Sequence, residues 1–152
     1  MGHDLRQRRA ACSGQSSNQY RHHYGEPPEA DGRAVGWLTE MVRSNALTLY
    51  AARVDSVADA PPVGLATSHT IPASLTMGQV WQLRDLYVVP EARHQGAGVA
   101  LVNAVRHAAI AAGTTRLSLV TEPDNHVALD LYRKLGFKPV EDLASLSRDL
   151  RK

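Results

Sequence analysis

Residues 81–98 read WQLRDLYVVPEARHQGAG, and the fold is decided by what this stretch does. Val80 to Val89 is a run of β-branched, aromatic and aliphatic residues, the composition of a buried strand. Pro90 ends it, because proline has no N–H with which to continue a ladder. Arg93-His94-Gln95-Gly96-Ala97-Gly98 follows, and after it an apolar segment of helical period. Strand, glycine turn and helix in that order set main-chain N–H groups at a helix N-terminus, where anions bind. The turn is therefore expected to hold the phosphates of a cofactor.

Working downstream, Leu101, Val102, Val105, Ala108, Ala109 and Ala112 recur at helical spacing from Ala97 to Ala112, with Gly113 as a natural C′ residue. Arg116 to Thr121 alternates as a strand. Pro123-Asp124-Asn125 opens a second helix, Val127 to Leu135, closed by Gly136; Phe137 to Val140 and Leu143 to Leu150 read as two final strands. Upstream, Leu47 to Val54, Val63 to Ile71 and Gln79 to Val89 read as three strands. The first two are separated by the turn-rich Asp55 to Pro62 and the last two by a loop, Pro72 to Gly78. That spacing predicts an antiparallel meander, to which the β-α-β passage from Val80 through Thr121 adds a parallel pair. The fold class is α/β with a mixed sheet. Ahead of the strands, Asp31 reads as the N-cap of a helix to about Arg43, with Val35, Leu38, Met41 and Val42 as its apolar stripe. Gly32 and Gly36 weaken that helix by about 1 kcal/mol each relative to alanine. Residues 1–14 are polar and Arg-rich, either partly disordered or a short strand around Leu5 to Ala10, and Ser16 to Tyr24 reads as a short helix ending at Gly25. The organisation is an atypical segment, 1–30, ahead of one domain, 31–152, without internal repeats.

Composition narrows the function. A chain of 152 residues fits one ordinary core, and a net charge of +2 with no long basic stripe does not point to nucleic acid. Arginine outnumbers lysine 14 to 3, which reads first as compositional bias. Cys12 stands alone, so no intramolecular disulfide is expected, a reducing compartment is indicated, and the thiol reads as incidental. No apolar run approaches the roughly 18 residues of a membrane span, and no apolar segment follows Arg6, Arg8 and Arg9 as in a secretory signal. A cytoplasmic protein is the expectation. His22 and His23 lack a third ligand at a sensible spacing, so no metal is expected.

Arg93-His94-Gln95-Gly96-Ala97-Gly98 fits the (Q/R)-x-x-G-x-(G/A) signature of the GNAT superfamily of N-acetyltransferases. Leu86-Tyr87-Val88-Val89-Pro90 precedes it, and Asn125-His126-Val127-Ala128 with Leu131-Tyr132-Arg133-Lys134-Leu135-Gly136-Phe137 follows at the spacing of that family. The resemblance covers roughly residues 30–150. The order from Trp81 to Asp85 is more weakly similar to the spermidine/spermine and small-amine branch. It implies a single-domain mixed sheet flanked by helices, with strands splayed around a cofactor cleft, and acetyl-CoA as cosubstrate. It also implies a small-molecule amine acceptor, with a peptide or protein amine, or a non-catalytic CoA-binding module, as alternatives. A homodimer is compatible with it.

Residue by residue, the resemblance assigns the pyrophosphate to the amides of Arg93, His94, Gln95, Gly96, Ala97, Gly98 and Val99, with the Arg93 charge nearby. Gly96 and Gly98, lacking a Cβ, permit close approach and unusual φ values; the His94 side chain is expected to face solvent. The main chain of Leu86, Tyr87 and Val88 is expected to pair with the pantetheine arm as an added strand. Tyr132, seven residues beyond Asn125 on the same helical face, is the implied acid that protonates the departing thiolate, since a phenol of pKa near 10 is protonated at pH 7. Asn125 caps that helix or bonds the pantetheine amides, with Ala128 beside it. An amine of pKa near 10.4 must lose a proton before attack, at a cost of about 4.6 kcal/mol at pH 7. Asp85 is the leading acceptor-side group for this, ahead of Glu122 and His69. Tyr20, His22, His23 and Tyr24 fall where the family's first helices shape the acceptor pocket.

Overall fold

A computed structural model describes residues 21, 25, 31–54 and 60–151. Cys12, Tyr20, His22, His23, Tyr24 and the expectations for residues 1–14 lie outside the described residues. So does the helix expected from Ser16 to Tyr24, apart from Arg21, which is helical. The chain divides into two units, Met1–Val120 and Thr121–Lys152.

The first unit is built on a sheet of order β1-β2-β3-β4. β1 (Thr48–Ala52) runs antiparallel to β2 (Gly64–Ala73), with Thr48 opposite Ser68 and Ala52 opposite Gly64. β2 continues into β3 (Gly78–Val88) through a 3-10 turn, Ser74–Thr76, and β3 pairs in parallel with β4 (Leu117–Leu119). This is the expected meander plus a parallel pair. β2 differs in running on through Pro72 into the stretch read as a loop. Proline is tolerated there because β1 stops opposite Ser68, so that side of β2 has no ladder for it to interrupt.

Alternation gives the sheet two unlike faces. α2 (Ala97–Ala111), the helix after the glycine turn, packs on the face that carries Gly64 and Ala66. It buries Leu101, Val102, Val105 and Ala109. Each fully buried leucine or valine contributes about 1.5–3 kcal/mol, so packing holds this helix in place. Gly64 is required by close approach: a Cβ there would lie 2.9 Å from the Tyr87 carbonyl oxygen and 3.1 Å from Leu101 Cδ1. Ser68 is fully buried, and its Oγ accepts from Trp81 Nε1 at 2.9 Å and lies 3.2 Å from Tyr50 Oη. Burial pushes the Tyr50 phenol above its ordinary value, with hydrogen bonds from Ser68 and Trp81 acting the other way.

The opposite face carries Leu65, Thr67 and His69. α1 (Asp31–Arg43) leaves a cavity of about 640 Å3 between itself and this face. Its stripe of Val35, Leu38, Met41 and Val42 is half-buried, as expected from the spacing, while Trp37 is largely exposed.

In the second unit, Asn125 starts α3 (His126–Lys134). Gly136, at φ +88°, ends it in a Schellman arrangement: its N–H donates to the Arg133 carbonyl and that of Phe137 to the Tyr132 carbonyl, both at 3.0 Å. The two final strands expected over residues 137–150 do not form. Pro139 removes a ladder donor, Asp142 takes φ +63°, and Leu143, Leu146 and Leu150 are three and four apart rather than alternating. Their side chains are exposed.

Candidate functional site

The glycine turn begins where β3 ends. Val88 is followed by a 3-10 turn, Pro90–Ala92, and Arg93 Nε donates to the Val88 carbonyl at 3.0 Å, tying the turn to the strand end. Gln95 Nε2 donates back to the Glu91 carbonyl at 2.9 Å, so this side chain braces the turn rather than projecting from it. His94 sits at φ +60° with an exposed side chain, and Gly96 at φ +90°. The unusual backbone thus falls on His94 and Gly96. Gly98, for which it was also expected, lies inside α2 without a positive φ. α2 opens on Gly96 with no side-chain cap; its first internal bond runs from Ala100 N–H to the Gly96 carbonyl at 2.9 Å. The amides of Ala97, Gly98 and Val99 consequently point out of the helix end, the arrangement that receives an anion.

The strand edge beside the turn has a definite polarity. Val89 N–H donates to the Val63 carbonyl at 2.9 Å, which directs alternate main-chain groups, those of Tyr87 included, toward β2. Leu86 and Val88 then turn theirs toward the opposite side. On that side the parallel ladder with β4 ends at Leu83 and Leu119, while β3 runs on to Val88. Of the three residues expected to pair with a pantetheine arm, Leu86 and Val88 direct their main-chain groups to that side, where the Val88 carbonyl accepts from Arg93 Nε. Tyr87, opposite Leu65, directs its main-chain groups to β2 and buries its side chain.

Asp85 lines the cavity under α1, and its carboxylate accepts a hydrogen bond from Thr67 Oγ1. Thr67, only 3% exposed, is directly opposite Asp85 in the β2–β3 register. One step further on, Ser68 pairs with Leu83, so Arg84 is an extra residue in β3, a bulge. The bulge lets two consecutive residues, Arg84 and Asp85, line one cavity, where a regular strand would send them to opposite faces. His69 is on the same wall. Neither the role of Thr67 nor the bulge is visible in the local sequence. Both depend on cross-strand register, which no local pattern specifies.

In the second unit, Asn125 Oδ1 accepts from the Ala128 N–H at 3.3 Å, so both residues take part in the helix cap. Tyr132 is buried, its ring 5.7 Å from that of Phe137 at 62°, an edge-on contact. Tyr132 and Phe137 are the C3 and C″ residues of the Schellman turn, the pair whose apolar contact accompanies that motif. Gly136 thus shapes the turn that brings Phe137 onto the Tyr132 ring. Glu122 is exposed on this unit. Among the described residues there is no cluster of metal-ligating groups, and no helix is long and apolar enough to cross a membrane.

Residues 12–137 match the Acetyltransferase (GNAT) family. The uncharacterized N-acetyltransferase YhfO of Bacillus subtilis (strain 168) is 29% identical over 121 residues, covering 80% of this chain and 78% of that one. The aminoglycoside N(6')-acetyltransferase type 1 of Klebsiella aerogenes is 37% identical over 73 residues, 48% of each chain. A crystal structure of a probable acetyltransferase superposes with a TM-score of 0.82 over 91% of this chain and 90% of that one at 24% identity, which shows a shared fold. The family match runs through the meander, the uncapped glycine turn and the helix that carries Tyr132, and the chain belongs to the GNAT family of acetyl-CoA-dependent acetyltransferases.

Proposed function

We propose that the protein transfers the acetyl group of acetyl-CoA to a primary amine of a small molecule, by direct attack within a ternary complex. The observation that carries this reading is the cavity under α1, with the Asp85 carboxylate held on its wall by Thr67. Its volume suits a small ligand, and a carboxylate of fixed orientation is what an ammonium group requires. The Klebsiella aerogenes relative, named as acetylating an amino nitrogen of an aminoglycoside, supports an acceptor of this class.

The residues present fit acetyl-CoA, which supplies an activated thioester. The N–H groups of Ala97, Gly98 and Val99 face outward from an uncapped helix start and suit a pyrophosphate. Arg93, anchored through Nε, adds positive charge there. The outward main-chain groups of Leu86 and the N–H of Val88 suit the amides of a pantetheine arm, an added strand without side-chain specificity. Asp85 takes the proton of the bound ammonium, offsetting the cost of about 4.6 kcal/mol of deprotonating an amine of pKa near 10.4 at pH 7. The freed lone pair would form the new N–C bond as the C–S bond breaks, and the second proton that the nitrogen sheds on becoming an amide restores the Tyr132 phenol by way of solvent. Tyr132 Oη gives its proton to the departing sulfur, with its ring held by Phe137. Asn125 combines capping with contact to the pantetheine amides. The alternative that the chain binds CoA without catalysis makes a different prediction.

The test is CoA release across a panel of primary amines, with Asp85→Asn beside the unaltered protein. Turnover of at least one small amine is expected, and loss of the base should reduce it by about 10²–10⁴-fold with acetyl-CoA affinity retained. Thermal stabilisation by acetyl-CoA with no turnover on any amine would favour the non-catalytic alternative. Undiminished turnover in Asp85→Asn would remove Asp85 from the mechanism.

A further inference from the structure

The described lining of the cavity includes one carboxylate, that of Asp85, and, next to it in the chain, the guanidinium group of Arg84. Arg84 is the informative member. It is the bulge residue of β3, placed on the cavity by the same irregularity that brings Asp85 there, and it forms no ion pair among the described residues, with Asp85 included. Its neighbour is engaged by Thr67 instead. A bulge that re-aims an arginine onto a ligand cavity, beside a carboxylate it does not neutralise, offers one wall with two opposite charges. Guanidinium groups match carboxylates and phosphates in geometry as well as charge.

We propose that the acceptor amine also carries an anionic group, a carboxylate or a phosphate. Its amine is directed to Asp85 and its anion is held by Arg84. The inference rests on the small-amine acetyltransferase reading and narrows it, from any primary amine to a zwitterionic one. It also separates this chain's acceptor from the polycationic aminoglycosides of the Klebsiella aerogenes relative.

Matched pairs test it: γ-aminobutyrate against putrescine, and phosphoethanolamine against ethylenediamine, each with acetyl-CoA and CoA release as the signal. The anionic member of at least one pair should have kcat/KM about tenfold or more above its diamine, the value of one charge-assisted contact. The pair with the larger ratio distinguishes carboxylate from phosphate. Arg84 is exposed, so its variants should fold, and acetyl-CoA thermal shifts check this. Arg84→Gln should bring the ratio toward one, Arg84→Lys should keep most of it, and Arg84→Glu should invert it. Diamines used as well as or better than their anionic partners would overturn the anion inference while leaving the small-amine reading intact. A ratio unmoved by Arg84→Glu would overturn the assignment to Arg84. No turnover of any amine, with acetyl-CoA still bound, would overturn both the reading and the inference.

Discussion

The two helices that follow turns in this protein finish alike and begin differently. α2 and α3 both end in Schellman arrangements, on Gly113 at φ +73° and Gly136 at φ +88°. At their starts, Asn125 caps α3 through its own side chain, whereas α2 opens on Gly96 with no side-chain cap and with His94 in the left-handed region just before it. A cap is worth about 1 kcal/mol, and α2 is the better packed of the two, so nothing in its packing prevents one. Its start forgoes that stability in a sequence that caps the next helix along the chain in the ordinary way. The difference fits the proposed division of work, in which the open amides of α2 receive the cofactor and α3 contributes a side chain near its far end.

The largest effect should come from filling the open start. Gly96→Val is expected to weaken acetyl-CoA binding by about a thousandfold, because several charge-assisted main-chain bonds are lost together. A Cβ at Gly96 meets no protein atom within 4 Å, so the free protein should still fold, at the cost of a strained φ. Calorimetric titration that finds binding retained would refute the phosphate-turn reading. On the other helix, Tyr132→Phe should leave that affinity in place and lower turnover by about a hundredfold. Equal losses of affinity and turnover would show that the two helices do not divide the work in this way.

Much of this contrast is legible in the sequence, for a local reason. Proline at 90, glycine at 96, 113 and 136, and the recurrence of Leu101, Val102, Val105 and Ala109 act within a turn or two of themselves, and the helices end where those residues place them. The strands of the meander are readable in the same way. What is not legible depends on partners far along the chain. Nothing around Arg84 announces a bulge, which exists only because Ser68 pairs with Leu83 while Thr67 pairs with Asp85. The hydrogen bond from Thr67 that orients Asp85 follows from that register, 18 residues away in sequence. Residues 137–150 are the converse case: apolar side chains invited a strand reading, but a strand forms only where another supplies its ladder.

A smaller change probes the capped start. Asn125→Ala should cost about 1 kcal/mol of stability, the usual value of an N-cap, since the Ala128 N–H loses its acceptor. In chemical denaturation this is a shift of midpoint without change of slope. If Asn125 also touches the pantetheine amides as proposed, acetyl-CoA affinity falls in addition; Asn125→Asp, which keeps an accepting oxygen but not the amide donor, should recover stability alone. Full recovery of both by aspartate would confine Asn125 to the cap.

The smallest expected effect is also the one that runs in the opposite direction. His94 is a residue with a Cβ at φ +60°, in a turn whose other left-handed position is a glycine. Left-handed backbone costs an L-residue about 1–2 kcal/mol, whereas glycine enters it freely and pays only a larger unfolded-state entropy of about 0.5–1 kcal/mol. The side chain is exposed and packs on nothing that would offset the strain. His94→Gly should therefore raise stability by about 0.5–1 kcal/mol, seen as a higher thermal midpoint. Acetyl-CoA affinity should hold, because the turn contributes amides and glycine supplies the same one. If the variant is stabilised but binds acetyl-CoA less well, the imidazole touches the ligand, and the open start of α2 uses a side chain as well as its backbone.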